Sequence, residues 1–329
     1  MKNGYMLLDQ VEPVEGEDHG SFAEDVRRGL SAGNKSLPSK YIYDDEGSRL
    51  FCRIMELPEY YLTKCETEIL LENADYIADA TGNGGLNLVE LGAGDGKKTR
   101  IILDSLLQRY GDVLYVPIDI SESAVQCLLG ELGQEYTSLG VQGLVTDYFA
   151  GLRWLSGSNS SRNLVLFLGS NIGNFSPEER RVFLSSMHDA MSPGDYLLTG
   201  FDMVKDVNVL ENAYNDRQGV TARFNMNLLH RINRELGADF YTHLFRYDSR
   251  WYPGEGAIKS YLVSKVTQEV LVKGLGRSFS FEAGEAIHTE SSYKFTRDQL
   301  QQLAVASGFS PVDVFYDSRY YFADCLWMA

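Results

Sequence analysis

Three glycines, Gly92, Gly94 and Gly96, follow the apolar run Leu88-Val89-Glu90-Leu91 and precede Lys97-Lys98-Thr99. Glycines at this spacing let a backbone turn sharply and approach a ligand with no Cβ in between. Two acids follow at the ends of later apolar runs. Asp119 closes Val113-Leu114-Tyr115-Val116-Pro117-Ile118, and Asp147, with Tyr148 beside it, closes Leu144-Val145-Thr146. An acid so placed accepts hydrogen bonds from ribose hydroxyls, and an acid beside an aromatic suits an adenine. The alternative is that each acid caps the turn after it. Lys97 stands where a Gly-x-Gly-x-x-Gly dinucleotide site has its third glycine, so a nicotinamide dehydrogenase is disfavoured.

Two further groups can do chemistry. Asn174, in Asn171-Ile172-Gly173-Asn174-Phe175, follows the apolar run Asn163–Leu168 and can both donate and accept hydrogen bonds. The alternative is an asparagine that satisfies its own turn. Tyr41, Tyr43, Tyr60 and Tyr61 lie close together beside turn residues. Tyrosine offers a rigid face and a hydroxyl, suited to a polar ligand or a sulfonium cation, or equally to a half-buried aromatic cluster.

These residues need a strand–helix alternation to position them. The spacing predicts a strand before Gly92, a helix after Lys98, strands ending at Asp119 and Asp147, and a strand over Asn163–Ser170. Ser176, Pro177 and Glu179 form a capping-box signature for the next helix, which leads to a strand over Tyr196–Asp202. From about Lys205 to Phe281 the alternation stops. Leu228–Leu236 reads as helical there, and Ala257–Val272 alternates like two paired strands. It resumes with helix Thr296–Ser307 and a closing hairpin, Pro311–Tyr316 and Tyr320–Met328. Helical spacing also marks Phe22–Leu30 and Glu66–Ala78. The expected architecture is α/β: a Rossmann-like sheet domain over 62–204 and 286–329, with an α+β domain over 1–61 and 205–285.

Composition narrows the partners. Among 329 residues, 30 Lys and Arg face 46 Asp and Glu, a net charge of −16. Non-specific binding to nucleic acid or anionic lipid is disfavoured at that charge. No run approaches a membrane span, the N-terminal residues lack a signal-peptide core, and a cytoplasmic protein is expected. The four cysteines include no C-x-x-C pair and the five histidines form no ligand motif, so no metal is expected.

Glu90-Leu91-Gly92-Ala93-Gly94 with later acids at strand ends resembles a class I S-adenosylmethionine (SAM) methyltransferase. Several segments in order also resemble the histidine N-alpha-methyltransferases of ergothioneine biosynthesis. They are Tyr43-Asp44 with Gly47-Ser48 and Leu50-Phe51, Leu57-Pro58-Glu59-Tyr60-Tyr61, the glycine turn with Lys98-Thr99, Gly169-Ser170 with Ile172-Gly173-Asn174-Phe175, and Ile287 to Phe295. The resemblance implies trimethylation of the α-amine of L-histidine to hercynine by a monomer, with SAM as methyl donor. It implies that Gly92, Gly94, Lys98, Asp119, Asp147 and Tyr148 contact SAM. Asn174 and Tyr43 are implied in catalysis, and Tyr60, Asn174 and Tyr214 in holding the amino acid's backbone end. Glu290, Ser291 and Ser292 are implied at the side-chain end, where Glu290 and Ser292 would read the two ring nitrogens of an imidazole.

One departure bears on substrate. Ser260 stands where family members often carry a methionine lining the substrate pocket, which leaves tyrosine or tryptophan as the alternative substrate. A non-catalytic SAM or amino-acid sensor is a further alternative, disfavoured because the whole polar set is kept.

Overall fold

Leu88, Val89, Leu164, Val165, Leu166, Leu197 and Leu198 are fully buried, and a sheet with both faces covered is the structure that buries such runs. The computed structural model describes residues 4–8, 21–82, 85–92, 96–136, 139–158 and 161–329. In chain order its elements begin β1 (Gly4–Leu7), α1 (Phe22–Ser31), α2 (Asp45–Met55), α3 (Tyr61–Thr81), β2 (Leu86–Leu91), α4 (Lys97–Tyr110), β3 (Val113–Asp119) and α5 (Glu122–Glu135). There follow β4 (Gly140–Val145), α6 (Tyr148–Ser158), β5 (Arg162–Phe167), α7 (Pro177–Ala190), β6 (Tyr196–Asp202), α8 (Val207–Tyr214) and α9 (Val220–Leu236). The last are β7 (Phe245–Tyr252), β8 (Ala257–Ser264), β9 (Gln268–Val272), β10 (Arg277–Phe281), β11 (Ala286–Tyr293), α10 (Arg297–Ala306), β12 (Ser310–Tyr316) and β13 (Phe322–Met328). Among the described residues no helix is long and apolar enough to cross a membrane.

The chain divides into two units, Met1–Val14, Lys64–Met203 and Phe295–Ala329 in the first, Glu15–Thr63 and Val204–Lys294 in the second. The first holds an eight-stranded sheet in the order β1-β4-β3-β2-β5-β6-β13-β12. Pairing is parallel from β1 to β6, then antiparallel to β13 and β12. This is the class I methyltransferase order with one strand added at the edge. Strand order reverses at β2, which places the crevice for a ligand beyond the carboxyl ends of β2 and β5. The capping box on α7 is present, with Glu179 N–H donating to Ser176 Oγ and Ser176 N–H to Glu179.

The sequence gives no signal for β1. Its four residues do not alternate in burial, and only pairing with β4 makes them a strand.

The second unit differs more. Asn208–Asn227, a polar stretch with aromatics in which no helix was expected, holds nearly all of α8 and the first half of α9, which reaches back from Leu236 to Val220. Asn and Thr weaken its intrinsic helix propensity. Its start is fixed by Asp216, which accepts from the N–H of Val220 and Thr221 at 2.8 Å each, and Phe224, Leu228, Leu229 and Ile232 are buried. The two strands within Ala257–Val272 do not pair with each other. β8 lies between β11 and β7 in one sheet, and β9 pairs β10 in another. β11 therefore belongs to the second unit, not to the sheet domain in which 286–329 was expected. At Ser36 the N-terminal segment forms a parallel bridge with His288 of β11.

Much of the Tyr43-Asp44-…-Gly47 motif is structural. Asp44 caps α2 by accepting from Gly47 N–H at 2.9 Å, and it also accepts from Asn227 (2.6 Å) and Arg234 (2.5 Å) of α9. A Cβ on Gly47 would stand 1.7 Å from the Ile42 carbonyl oxygen. Gly47→Ala should therefore destabilise the fold by about 1–3 kcal/mol in denaturant unfolding, the usual cost of overpacking. An unchanged midpoint would mean that this close approach is not needed.

Candidate active site

In the first unit the site residues gather at the carboxyl ends of β2, β3, β4 and β5. Gly92 has φ +76°, a conformation that favours glycine, and a Cβ there would lie 3.0 Å from Tyr148 Oη. Burial pushes the Tyr148 hydroxyl up to about 12, reinforced by the charges of Asp119 and Glu90. Asp119 accepts from Ser121 N–H and Asp147 from Ala150 N–H, both at 2.8 Å. Both acids thus cap the turns after them, and the capping bonds fix the direction of each carboxylate. Gly94 lies outside the described residues.

Lys98 lies in the first turn of α4 and forms an ion pair with Glu66 of α3. The other oxygen of Glu66 accepts from Gly169 N–H at 2.7 Å. Burial pulls the Lys98 ammonium down, and the Glu66 carboxylate more than offsets this, so its pKa lies above the ordinary value. No sequence signal pointed to Glu66, which sits inside an ordinary helical stretch. Glu90 is held by the hydroxyls of Thr99 and Tyr115, tying β2 to α4 and β3. Asn174 ends a short turn of 3-10 helix, Asn171–Asn174, led in by Gly169 (φ +82°) and Ser170 (φ +59°). Gly92, the two acids, Tyr148 and Lys98 fit SAM by chemistry. They offer a close backbone approach, acceptors for hydroxyl and amino groups, an aromatic face and a cation for a carboxylate.

In the second unit three strands align a polar row. Ser249 of β7, Ser260 of β8 and Glu290 of β11 are register partners, so their side chains share one face. Ser292, two residues beyond Glu290, faces the same way. Tyr247 Oη lies 3.0 Å from Ser260 Oγ and donates to the Tyr214 carbonyl at 3.1 Å. Tyr214 Oη and Ser292 Oγ are 2.7 Å apart, and Lys294 donates to both, at 2.8 and 2.7 Å. Tyr214 and Ser292, expected at opposite ends of the substrate, are thus directly bonded to each other. Ser291 is a correction: as a strand neighbour of Glu290 and Ser292 it projects from the opposite face, where its hydroxyl lies 3.0 Å from His288 Nε2.

Tyr43 and Tyr60 both join an aromatic cluster. The Tyr43 ring packs edge-on to Phe51 and Phe224, and the Tyr60 ring edge-on to Phe51. Tyr247 and Ser249 were missed, although Phe245, Tyr247, Ser249 and Trp251 alternate with the charged Arg246, Asp248 and Arg250.

Desolvation pushes the Glu290 carboxyl up to about 7, with Lys294 pulling the other way. Folding raises this pKa, so the stability it contributes is complete below about 4.5 and is lost as pH rises through about 7. Glu290→Gln should therefore flatten the fall in thermal midpoint between about pH 5 and about pH 8. Identical slopes in the two proteins would show that the carboxyl is not desolvated.

The chain is 42% identical over 283 residues to the histidine N-alpha-methyltransferase of Mycolicibacterium smegmatis, covering 85% of this chain and 86% of that one. It is 40% identical over 295 residues to the histidine N-alpha-methyltransferase of Mycobacterium tuberculosis, covering 89% and 91%. Ergothioneine biosynthesis protein 1 of Schizosaccharomyces pombe is 31% identical over 284 residues, covering 84% of this chain and 36% of that protein. Residues 22–329 match the family described as "Histidine-specific methyltransferase, SAM-dependent", and the chain belongs to that family of SAM-dependent methyltransferases.

Proposed function

We propose that this methyltransferase carries three methyl groups in succession to the α-amine of L-histidine, giving the betaine hercynine. The observation that carries the substrate reading is Glu290, a desolvated carboxylate in a row of hydroxyls. A carboxylate in such a place is costly without a donor, and an imidazole N–H supplies one. Tyrosine and tryptophan also donate, and Ser260 leaves them as the alternative substrates. Its small side chain is matched by the Tyr247 hydroxyl, which takes up the polar contact.

SAM supplies an electrophilic methyl on a sulfonium, and Gly92, Lys98, Asp119, Asp147 and Tyr148 are the residues we assign to hold it. In-line displacement asks the protein chiefly to position and desolvate the amine. The amine must lose a proton before each transfer. A nearby carboxylate would hold it as unreactive ammonium, whereas an amide and hydroxyls do not. Asn174 and Tyr60 suit that role, with Tyr43 contributing its hydroxyl and ring at the reacting end.

Mass spectrometry with SAM and each of the twenty amino acids tests the reading. Mono-, di- and trimethylated histidine should appear, and methylation of tyrosine or tryptophan without histidine would overturn it. Asn174→Ala should slow transfer by roughly tenfold to a hundredfold, about 1–3 kcal/mol, with SAM affinity little changed. A full rate would return Asn174 to the role of a turn residue. Glu290→Ala should lower the ratio of kcat/KM for histidine over phenylalanine, because only histidine gains from the carboxylate.

A further inference from the structure

Lys294 follows β11 directly and is 3% exposed. Its ammonium donates to Tyr214 Oη and Ser292 Oγ, which are themselves hydrogen-bonded, and it lies 4.7 Å from the Tyr214 ring centroid. An ammonium has donors only, so both hydroxyls accept from it. Between them the hydroxyls have two protons. One joins the pair, and the other must leave the triangle. A phenol is the more acidic hydroxyl and therefore the better donor, so Tyr214 donates to Ser292 and the Ser292 proton points away.

Resting on the histidine reading above, we propose that Lys294 is a positioning residue that fixes Ser292 as a hydrogen-bond donor beside the Glu290 acceptor. The site then presents one acceptor and one donor. That pair is complementary to a neutral imidazole, which has one N–H and one bare ring nitrogen. It disfavours the imidazolium, whose second N–H would meet the Ser292 donor, and side chains that only donate. Lys294 acts through Ser292 and Glu290 and need not touch substrate.

The groups around Glu290 are Lys294 just past the end of its strand, Tyr247 from β7, and the uncharged Ser260 opposite it on β8. Tyr214 lies beyond Tyr247. His288 and Lys259 occupy the other face of the sheet. Lys294 is the cation that lowers the Glu290 pKa against its desolvation. Without it that pKa moves further up.

The test uses Lys294→Met and Lys294→Gln. L-Histidine is titrated calorimetrically in the presence of S-adenosylhomocysteine across pH, beside Ser292→Ala and the Lys294→Met/Ser292→Ala double variant. Lys294→Met should bind histidine roughly tenfold to a hundredfold more weakly, and the double variant should lose less than the product of the two single losses. Lys294→Gln keeps a donor without the charge, so it should bind better than Lys294→Met yet show the same upward displacement of the acid limb. The imidazole of histidine titrates alike in all titrations, so the displacement reports the enzyme. Ligand-free titration of Glu290 by carboxyl NMR should show the same rise in both Lys294 variants.

Multiplicative losses, or an acid limb and carboxyl titration that do not move in Lys294→Gln, overturn the assignment to Lys294. If Lys294→Met does not fold, the Lys294→Gln titration decides alone. Wild-type protein that takes up no histidine overturns the substrate reading, whatever the carboxyl titration shows, and the two failures are thereby told apart.

Discussion

A fully buried carboxylate must be satisfied by whatever packs around it, and Glu66 imposes that condition on the first unit. It is 0% exposed, and it receives the Lys98 ammonium from the start of α4 and the Gly169 N–H from the end of β5. Those two elements flank β2, so one side chain of α3 ties together the elements on either side of it. The approach is close enough that a Cβ on Gly200 would meet Glu66 Oε1 at 2.5 Å. Removing one partner of such a pair leaves an uncompensated buried charge, at about 3–5 kcal/mol. Asp324 is buried beside the pair. Desolvation and the charge of Glu66 push its carboxyl well above the usual range, with the Lys98 ammonium pulling the other way.

The second unit treats a carboxylate in the opposite way. Glu66 is paired with a cation and a backbone N–H, whereas Glu290 faces serine and tyrosine hydroxyls with Lys294 acting at longer range. The first arrangement fixes the carboxylate between two elements. The second leaves the carboxylate short of donors, which is the condition for recognising a ligand that brings one. The polarity of the two sites follows from what surrounds each acid.

Capping and ligand binding are compatible for Asp119 and Asp147. A carboxylate has two oxygens and about four lone-pair positions, and in each residue the cap accounts for one N–H. The cap aims the group, as a second shell aims a metal ligand. Ser291 shows the opposite outcome. Strand alternation turns it to the far face, and adjacency in sequence to two site residues does not bring it into the site.

The alternating sheet, its helices, the two acids at strand ends and the closing hairpin were legible because each is a local pattern. Period-two and helical spacing, glycine spacing and a capping box are written in neighbouring residues. The motif segments also carried the family. Tertiary structure alone decided the rest. The short strand β1 exists through β4, β9 pairs with β10 and not with β8, and β11 joins the second unit. No local pattern shows that Glu66 spans two elements, that Ser249, Ser260 and Glu290 share a row, or that Lys294 binds two hydroxyls at once. Those facts depend on which distant segments exclude water from the same place, and it is desolvation there, absent from an extended chain, that gives these polar groups their chemistry.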